Sequence, residues 1–542
     1  MLKSIKLSKM NKNKVFYPTH FRVYLLSLIL ISFTLSITAQ NWNQLIKAVA
    51  SDRLAGDLFG YPVAISGDYA IVGAYNEDED AVGGDSQISA GSAYIFKRTG
   101  SNWVQETKIV ASDRTSGGIF GISVAISGDY VVVGAIGESK NEGGTNYKFE
   151  AGAAYIFKRT GTNWVQEAKI VASDRGEQDH FGYSVAISGD YVVVSAEDES
   201  EDVTGRNTQL RAGSAYIFKR TVTNWVQEAK IVASDRAAGD LFGHTLSMSG
   251  DYTIVGAPAE DEDVIGENTQ QSAGSAYIFK RTGTNWVQEA KIVASDRAEG
   301  DVFGWSVSIS NDYSIVGAHY DDENAMGGNT QTNAGSAYIF KRMGTNWIQE
   351  TKIVSADRAA RDYFGSSVAI SGDYAIVGAW SEDDDTTGMN MLSAAGSAYI
   401  FKRMGTIWVQ EAKIIASDRA MNDFFGTCVA ISGDYALVGT WSDDKDVTGM
   451  NMLIDAGSVY FFKKSISNAT SNISPNSLKA YPSVTNTILT VEASEKVEFQ
   501  IFNMLGQSVL SGQTRKEIDV SLLAQGTYII LIGTQRMKFI KT

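Results

Sequence analysis

Beyond the first 40 residues, the side chains best suited to proton transfer or nucleophilic attack are His180, His244, His319 and the single cysteine, Cys428. They follow no Ser-His-Asp order and no zinc-ligand spacing, and no glycine loop here would cradle a phosphate. A lone thiol excludes an internal disulfide framework and any CxxC site. Cys428 sits among alternating small and apolar residues and reads as a small buried hydrophobe. Carboxylates are the abundant reactive groups, and they come in runs: Glu77 to Asp80, Glu197 to Glu199, Glu260 to Asp263, Asp321 to Glu323, Glu382 to Asp385, and Asp443-Asp444. A pair of them could hydrolyse a glycoside if one acid were set apart to raise its pKa, but near-identical runs single out no such member. Alternate residues of an extended segment point the same way. Asp78 with Asp80, Asp261 with Asp263, and Asp383 with Asp385 could therefore share a calcium ion with backbone carbonyls. Their spacing matches no recognised calcium loop, and the plainer role is a solvated acidic surface.

These runs recur because the chain repeats. Phe-Gly stands at Phe59, Phe120, Phe181, Phe242, Phe303, Phe364 and Phe425, a constant step of 61 residues, and Trp42, Trp103, Trp164, Trp225, Trp286, Trp347 and Trp408 keep the same step. Each copy reads as four strands. In the fourth copy these are HTLSMS, a Gly250-Asp251 turn, YTIVGA, an acidic loop, GSAYIFKRT (274–282), a turn at Gly283, and NWVQEAKIVA (285–294). A lone four-stranded meander has two apolar faces, so the copies must stack. NWNQLIKAVA (41–50) is a fourth strand without the preceding three, while the last copy ends after GSVYFFKK (457–464) with Ala469 where the next Trp is due. Pairing the orphan strand with the incomplete copy removes both exposed edges. The expected fold is all-β: a seven-bladed β-propeller over 40–466, closed by the N-terminal strand, plus a small C-terminal β-sandwich.

A meander sends its second-to-third-strand loop and the blade-to-blade loop to one face. That face collects the acidic runs with Asp57, Asp240, Asp301, Asp362 and Asp423, whereas pairs such as Lys97-Arg98 go to the other. Asp52-Arg53 and its equivalents recur at the junctions and read as architecture. The copies differ mainly at the residue after Phe-Gly (Tyr61, Ile122, Tyr183, His244, Trp305, Ser366, Thr427) and at the residue after Gly-Ala or its equivalent (Tyr75, Ile136, Glu197, Pro258, His319, Trp380, Trp441). Aromatic rings beside carboxylates suit a sugar or peptide, so Tyr61, Tyr75, Tyr183, His244, Trp305, His319, Trp380 and Trp441 are the candidate ligand-binding set. Ordinary packing at the blade tops is the alternative role.

A formal charge of −15 over 542 residues makes nucleic acid an unfavourable partner. Lys3, Lys6, Lys9, Lys12 and Lys14 precede the apolar run Tyr24 to Ile37, which is short for a membrane span, so residues 1–39 read as a signal peptide. No later stretch has transmembrane length. After Lys464 a polar linker (467–476) leads to a small β-domain (477–542).

Phe-Gly followed by Gly256-Ala257-Pro258 resembles the FG-GAP repeat of integrin α-like propellers, which likewise have seven blades. The resemblance implies extracellular recognition and names no ligand. The family's DxDxDG calcium loop is replaced here by a turn such as Ser66 to Tyr69, too poor in oxygens for that site. Tyr481-Pro482, IFNMLGQSVL (501–510), IDVSLLAQGTY (518–528) and KFIKT (538–542) are similar to the type A C-terminal sorting domain of the type IX secretion system. That likeness implies a Bacteroidota-type cell, passage across the outer membrane through the type IX machinery, and removal of the tail on arrival. The expectation is a secreted or cell-surface binding protein with a glycan or protein ligand and no catalytic residues. A carboxylate-dependent glycan-degrading enzyme and a purely structural surface protein are the alternatives.

Overall fold

The computed structural model describes residues 42–222, 224–465, 479–481, 484–485, 487–492, 496–503, 508–532 and 535–542. The expected signal peptide (1–39) and linker (467–476) lie outside the described residues, which are all-β and contain no helix.

The repeat region forms seven four-stranded antiparallel sheets. Blade 1 comprises β2 (Val63–Ser66), β3 (Tyr69–Ala74), β4 (Ser92–Thr99) and β5 (Asn102–Ile109), in chain order from the innermost strand outward. Blades 2 to 6 repeat this order. In blade 7 the fourth position, beside Ser458–Lys464, is taken by β1 (Trp42–Ala48), which pairs antiparallel with it from Trp42↔Lys464 to Ala48↔Val459. Sheets pack in sequence. Tyr69, Ile71 and Ile95 of blade 1 share one core with Phe120, Tyr155 and Trp164 of blade 2. Val459 and Phe461 of blade 7 share another with Phe59, Tyr94 and Trp103 of blade 1.

The repeated residues explain themselves in this packing. Each Trp wedges against a tyrosine of the blade before it, as Trp164 does edge-on to Tyr69 at 5.6 Å and Trp42 to Tyr374 at 5.8 Å. Phe59 is wholly buried edge-on to Tyr94 at 5.3 Å. The glycine after it has φ 104°, and a Cβ there would lie 2.4 Å from the Ser458 carbonyl oxygen, so only glycine fits. The basic pairs form no free patch: Arg98 is ion-paired with Asp68 of its own blade's Gly-Asp turn and lies over the Tyr435 ring at 4.6 Å.

In the C-terminal part a three-stranded and a five-stranded sheet share one core of Leu489, Val491, Phe499, Ile501, Ile518, Tyr528, Ile530 and Phe539. The short strand Val484–Thr485 runs parallel to Gln535–Lys541 at the edge of the larger sheet.

Deleting Trp42–Ala48 leaves Ser458–Lys464 as an apolar open edge. The shortened protein is expected to aggregate or lose its cooperative thermal transition by circular dichroism; an unchanged melting curve and monomeric elution would contradict the role given to this strand.

Candidate functional site

Sequence alone places the acidic runs in water, and here the structure makes a correction. The acid at one register position of every copy is buried: Glu77, Glu199 and Glu260 are 0% exposed, and Glu138, Asp321, Glu382 and Asp443 are at most 2%. Each points back into its own blade and meets a tyrosine and a lysine. Tyr94 Oη donates to Glu77 and to Asp52, both at 2.9 Å, while Lys108 Nζ lies 2.8 Å from Asp52 and 3.4 Å from Glu77. Burial first, then the neighbouring carboxylates, pushes the Tyr94 phenol far above its usual range. The lysine is what makes the buried charge tolerable.

Asp52 and Arg53, expected as one architectural unit, grip different blades. Asp52 serves blade 1 as above. Arg53 reaches back to blade 7, donating to the carbonyls of Asp444 at 2.6 Å and Asn451 at 3.2 Å. All seven arginines do the same to the acidic loop before them, as Arg297 does to Asp261 and Asn268 at 2.7 and 2.6 Å. The acidic loops are therefore tied down from behind by the next blade.

The six aspartates expected as metal ligands cap backbone amides. Asp78, Asp261 and Asp383 each accept from an amide eleven residues on, at 2.7 Å (Ser89, Ser272 and Ala394). Asp80 accepts from Val82 and Gly84, Asp263 from Ile265, and Asp385 from Thr387. Such bonds hold Asp80 below the usual carboxylate range. Asp263 falls to about 2, mainly through Asn268, and Asp385 to about 2, mainly through Thr387. The carboxylates that do gather are others. Asp301, Asp321 and Glu323 bring oxygens within 4.8 Å of one another, a set spanning the blade-to-blade loop and the acidic loop of blade 5. Asp57 and its equivalents are buried here rather than displayed on the surface. Burial raises Asp240, Asp301 and Asp423 to about 7.

The residues after Phe-Gly meet at the centre. Tyr61, Ile122, Tyr183, His244, Trp305, Ser366 and Thr427 all line one cavity of about 290 Å³ on the propeller axis, together with Cys428, whose thiol burial pushes up to about 12. From there a rim of touching rings runs outward. Tyr183 meets His244 at 5.4 Å, His244 meets Trp305 at 4.4 Å, and Trp305 meets His319 at 4.5 Å. His319 leans on Tyr320 at 4.1 Å, and Tyr320 meets Tyr363 at 5.7 Å. Tyr363 stacks flat on Trp380 at 4.8 Å, and Phe424 joins Trp380 to Trp441 at 5.3 and 5.4 Å. Tyr61 and Tyr75 form a separate pair in blade 1. Tyr320, Tyr363 and Phe424 escape the sequence reading. The last two precede Phe-Gly in the left-handed backbone conformation that all seven copies share there (φ 56° and 57°), a position held elsewhere by Leu58, Ile119, His180, Leu241 and Val302.

Electrostatics along the rim is mild. His244 Nδ1 is 2.9 Å from Glu197, and His180 Nδ1 is 2.6 Å from Asp198, whose hydrogen bond holds His180 above its ordinary value. His319 is buried and lowered to about 3, chiefly by desolvation, so it is a neutral ring with an unpartnered Nδ1.

The description "FG-GAP repeat" matches seven times, at residues 42–96, 103–157, 164–218, 225–279, 286–340, 347–401 and 408–462. The chain belongs to the FG-GAP repeat family. Each match opens on the outermost-strand Trp and closes on the third strand of the following blade, so this FG-GAP repeat straddles a junction and contains the Asp-Arg pair, while the carbonyls that the arginine reaches lie in the match before it. Residues 479–542 match the secretion system C-terminal sorting domain. Comparison with curated proteins finds no match. A type IX sorting tail directs this FG-GAP protein to the cell surface or the outside, and that tail engages the secretion machinery.

Replacing Arg297 by Lys removes at least one of its two charge-assisted bonds to the 261–268 loop, each contributing about 1.5–3 kcal/mol. Limited proteolysis is expected to cut that loop several times faster than in the parent protein, and equal cleavage rates would contradict the tie.

Proposed function

We propose that this secreted or surface protein binds a glycan or protein ligand across the aromatic rim between Tyr183 and Trp441. The observation that carries the reading is the continuity of that rim across blades 3 to 7, with Trp305 and Tyr320 36% and 40% exposed. Core packing does not require it: blade 2 has Ile122 and Ile136 at the same two positions and keeps the same four strands. Flat rings offer stacking faces to sugar C–H groups or to apolar peptide side chains. Beside them, Glu197 offers an acceptor for hydroxyl or amine hydrogens. Glu197 and Asp198 are each held by a histidine, which fixes the orientation of both carboxylates.

The test is binding of the full-length protein to glycan and matrix-protein arrays, repeated with W305A, Y320A and W380A. A reproducible ligand is expected, weakened at least about tenfold by the first two variants, as for ring anchors at interface centres. Melting temperatures should stay within a few degrees of the parent. Unchanged affinity in all three variants would assign the rim to packing alone.

A further inference from the structure

The outer wall of the propeller carries a groove of about 530 Å³ between blades 2 and 3. Glu142 and Asn146 of blade 2's loop border it, with Glu167 of that blade's outermost strand (Asn163–Ile170). Asn224 and Trp225, at the start of blade 3's outermost strand, close the other side. The volume falls within the range of about 300–1,000 Å³ usual for small-ligand pockets.

A donor without an acceptor faces this groove. At four other junctions the outermost-strand indole donates to a glutamate of the blade before, as Trp42 does to Glu411, Trp164 to Glu106, Trp347 to Glu289 and Trp408 to Glu350, at 3.0–3.2 Å. Trp225 stands in the same register to Glu167, yet it is 8% exposed and its Nε1 has no partner. Glu167 instead turns out to the surface, whereas the side chains of Glu106, Glu228, Glu289, Glu350 and Glu411 are only 6–15% exposed. Trp103 and Trp286 also lack an acceptor, but neither opens a site in this way: Leu45 stands in the glutamate's place at the first, and Glu228 stays buried at the second. A buried N–H left unpaired is costly, and a ligand oxygen in the groove would satisfy it.

The sequence departs from the repeat at both ends of the same groove. Glu142 stands where the other copies have Ala81, Val203, Val264, Ala325, Thr386 and Val447. Two residues before Asn224, Val222 replaces the turn glycine of five other copies, such as Gly161 and Gly283. The outer strand pair of blade 3 accordingly begins at Trp225↔Arg220, where that of blade 2 begins at Asn163↔Thr160. Arg175 donates to the carbonyls of Ser139 and Asn146 at 3.0 and 3.2 Å, so the loop end that carries Glu142 is already in place before a ligand arrives.

The charges on the wall narrow the ligand class. An anion would meet Glu142 and Glu167, and a cation would meet Arg175 and Lys169. Hydroxyl groups both donate and accept, which matches an indole N–H, two carboxylates and two side-chain amides in one groove. We propose that this groove is a carbohydrate-binding site for a neutral oligosaccharide, with Trp225 Nε1 donating to one hydroxyl, Glu142 and Glu167 accepting from others, and Asn146 and Asn224 doing both. The site is separate from the aromatic rim and does not depend on the function proposed for it.

The test titrates the full-length protein with neutral gluco-, manno-, galacto- and xylo-hexasaccharides, followed by calorimetry and saturation-transfer NMR. At least one of them is expected to bind, and E142V, which copies blades 3, 4 and 7, and E167A should each weaken it about tenfold, as for the loss of one hydrogen bond to a charged group. Melting curves of both variants should match the parent's, W305A should leave the affinity unchanged, and a hexauronate should bind more weakly than the neutral sugars. No binding of any neutral hexasaccharide at millimolar concentration, or an affinity unchanged in both E142V and E167A, would overturn the proposal. Binding lost in W305A but kept in the two groove variants would overturn it too, and would place the sugar on the rim.

Discussion

A carboxylate buried beside a lysine ammonium and a tyrosine hydroxyl is the contact on which the propeller's acidic face depends. Taking such charges out of water costs several kcal/mol per ion, and the cost is offset only when each partner is in place. Here Lys108, Tyr94 and Asp52 surround Glu77, and the same four-residue arrangement recurs in every blade. It forces the start of each acidic loop to fold inward over the sheet. With the loop's first residue fixed and its rear held by the next blade's arginine, the residue two places before it is fixed as well. That residue is the variable ring or its replacement.

The consequence is a division of labour on one face. Invariant charged groups serve the junctions: Asp52 holds the blade ahead while Arg53 holds the blade behind. The positions that vary from copy to copy carry the rings, and these accumulate on one side, from blade 3 to blade 7. A ring of near-identical blades thereby gains a direction, which a ligand larger than one blade can read.

Much of the fold was legible because its signals are periodic. The 61-residue step of Phe-Gly and Trp, the Gly-Asp turns and the orphan N-terminal strand sufficed to place the blades. The central placement of Tyr61, Tyr183, His244 and Trp305 also followed from position relative to Phe-Gly. The buried acids were not legible, because a run such as Glu260-Asp261-Glu262-Asp263 offers no apolar period to show which member turns inward. A signal did exist. The position of Glu77 and Glu260 is acidic in all seven copies, whereas those after it drift to Ser, Asn or Lys, as in Ser139, Lys140 and Asn141. Its partners, the tyrosine and lysine of the third and fourth strands, are equally constant, and burial of all three belongs together. Tyr363 and Phe424 were hidden for another reason: they stand at a position that is aliphatic in four of the seven copies and whose left-handed backbone, shared by all seven, is not visible in the sequence.

The division of labour is tested most directly in blade 2, where Glu138 sits 2% exposed beside Tyr155 and Lys169 without a third acid nearby. Thermal unfolding and ligand binding would be measured together on E138Q, an isosteric change that leaves a buried ammonium short of one partner. The expected result is a melting temperature lowered by a few degrees, with affinity for the captured ligand unchanged at 25 °C. An E138Q protein that melts like the parent but loses its ligand would show that the buried acids serve recognition, and would contradict the account.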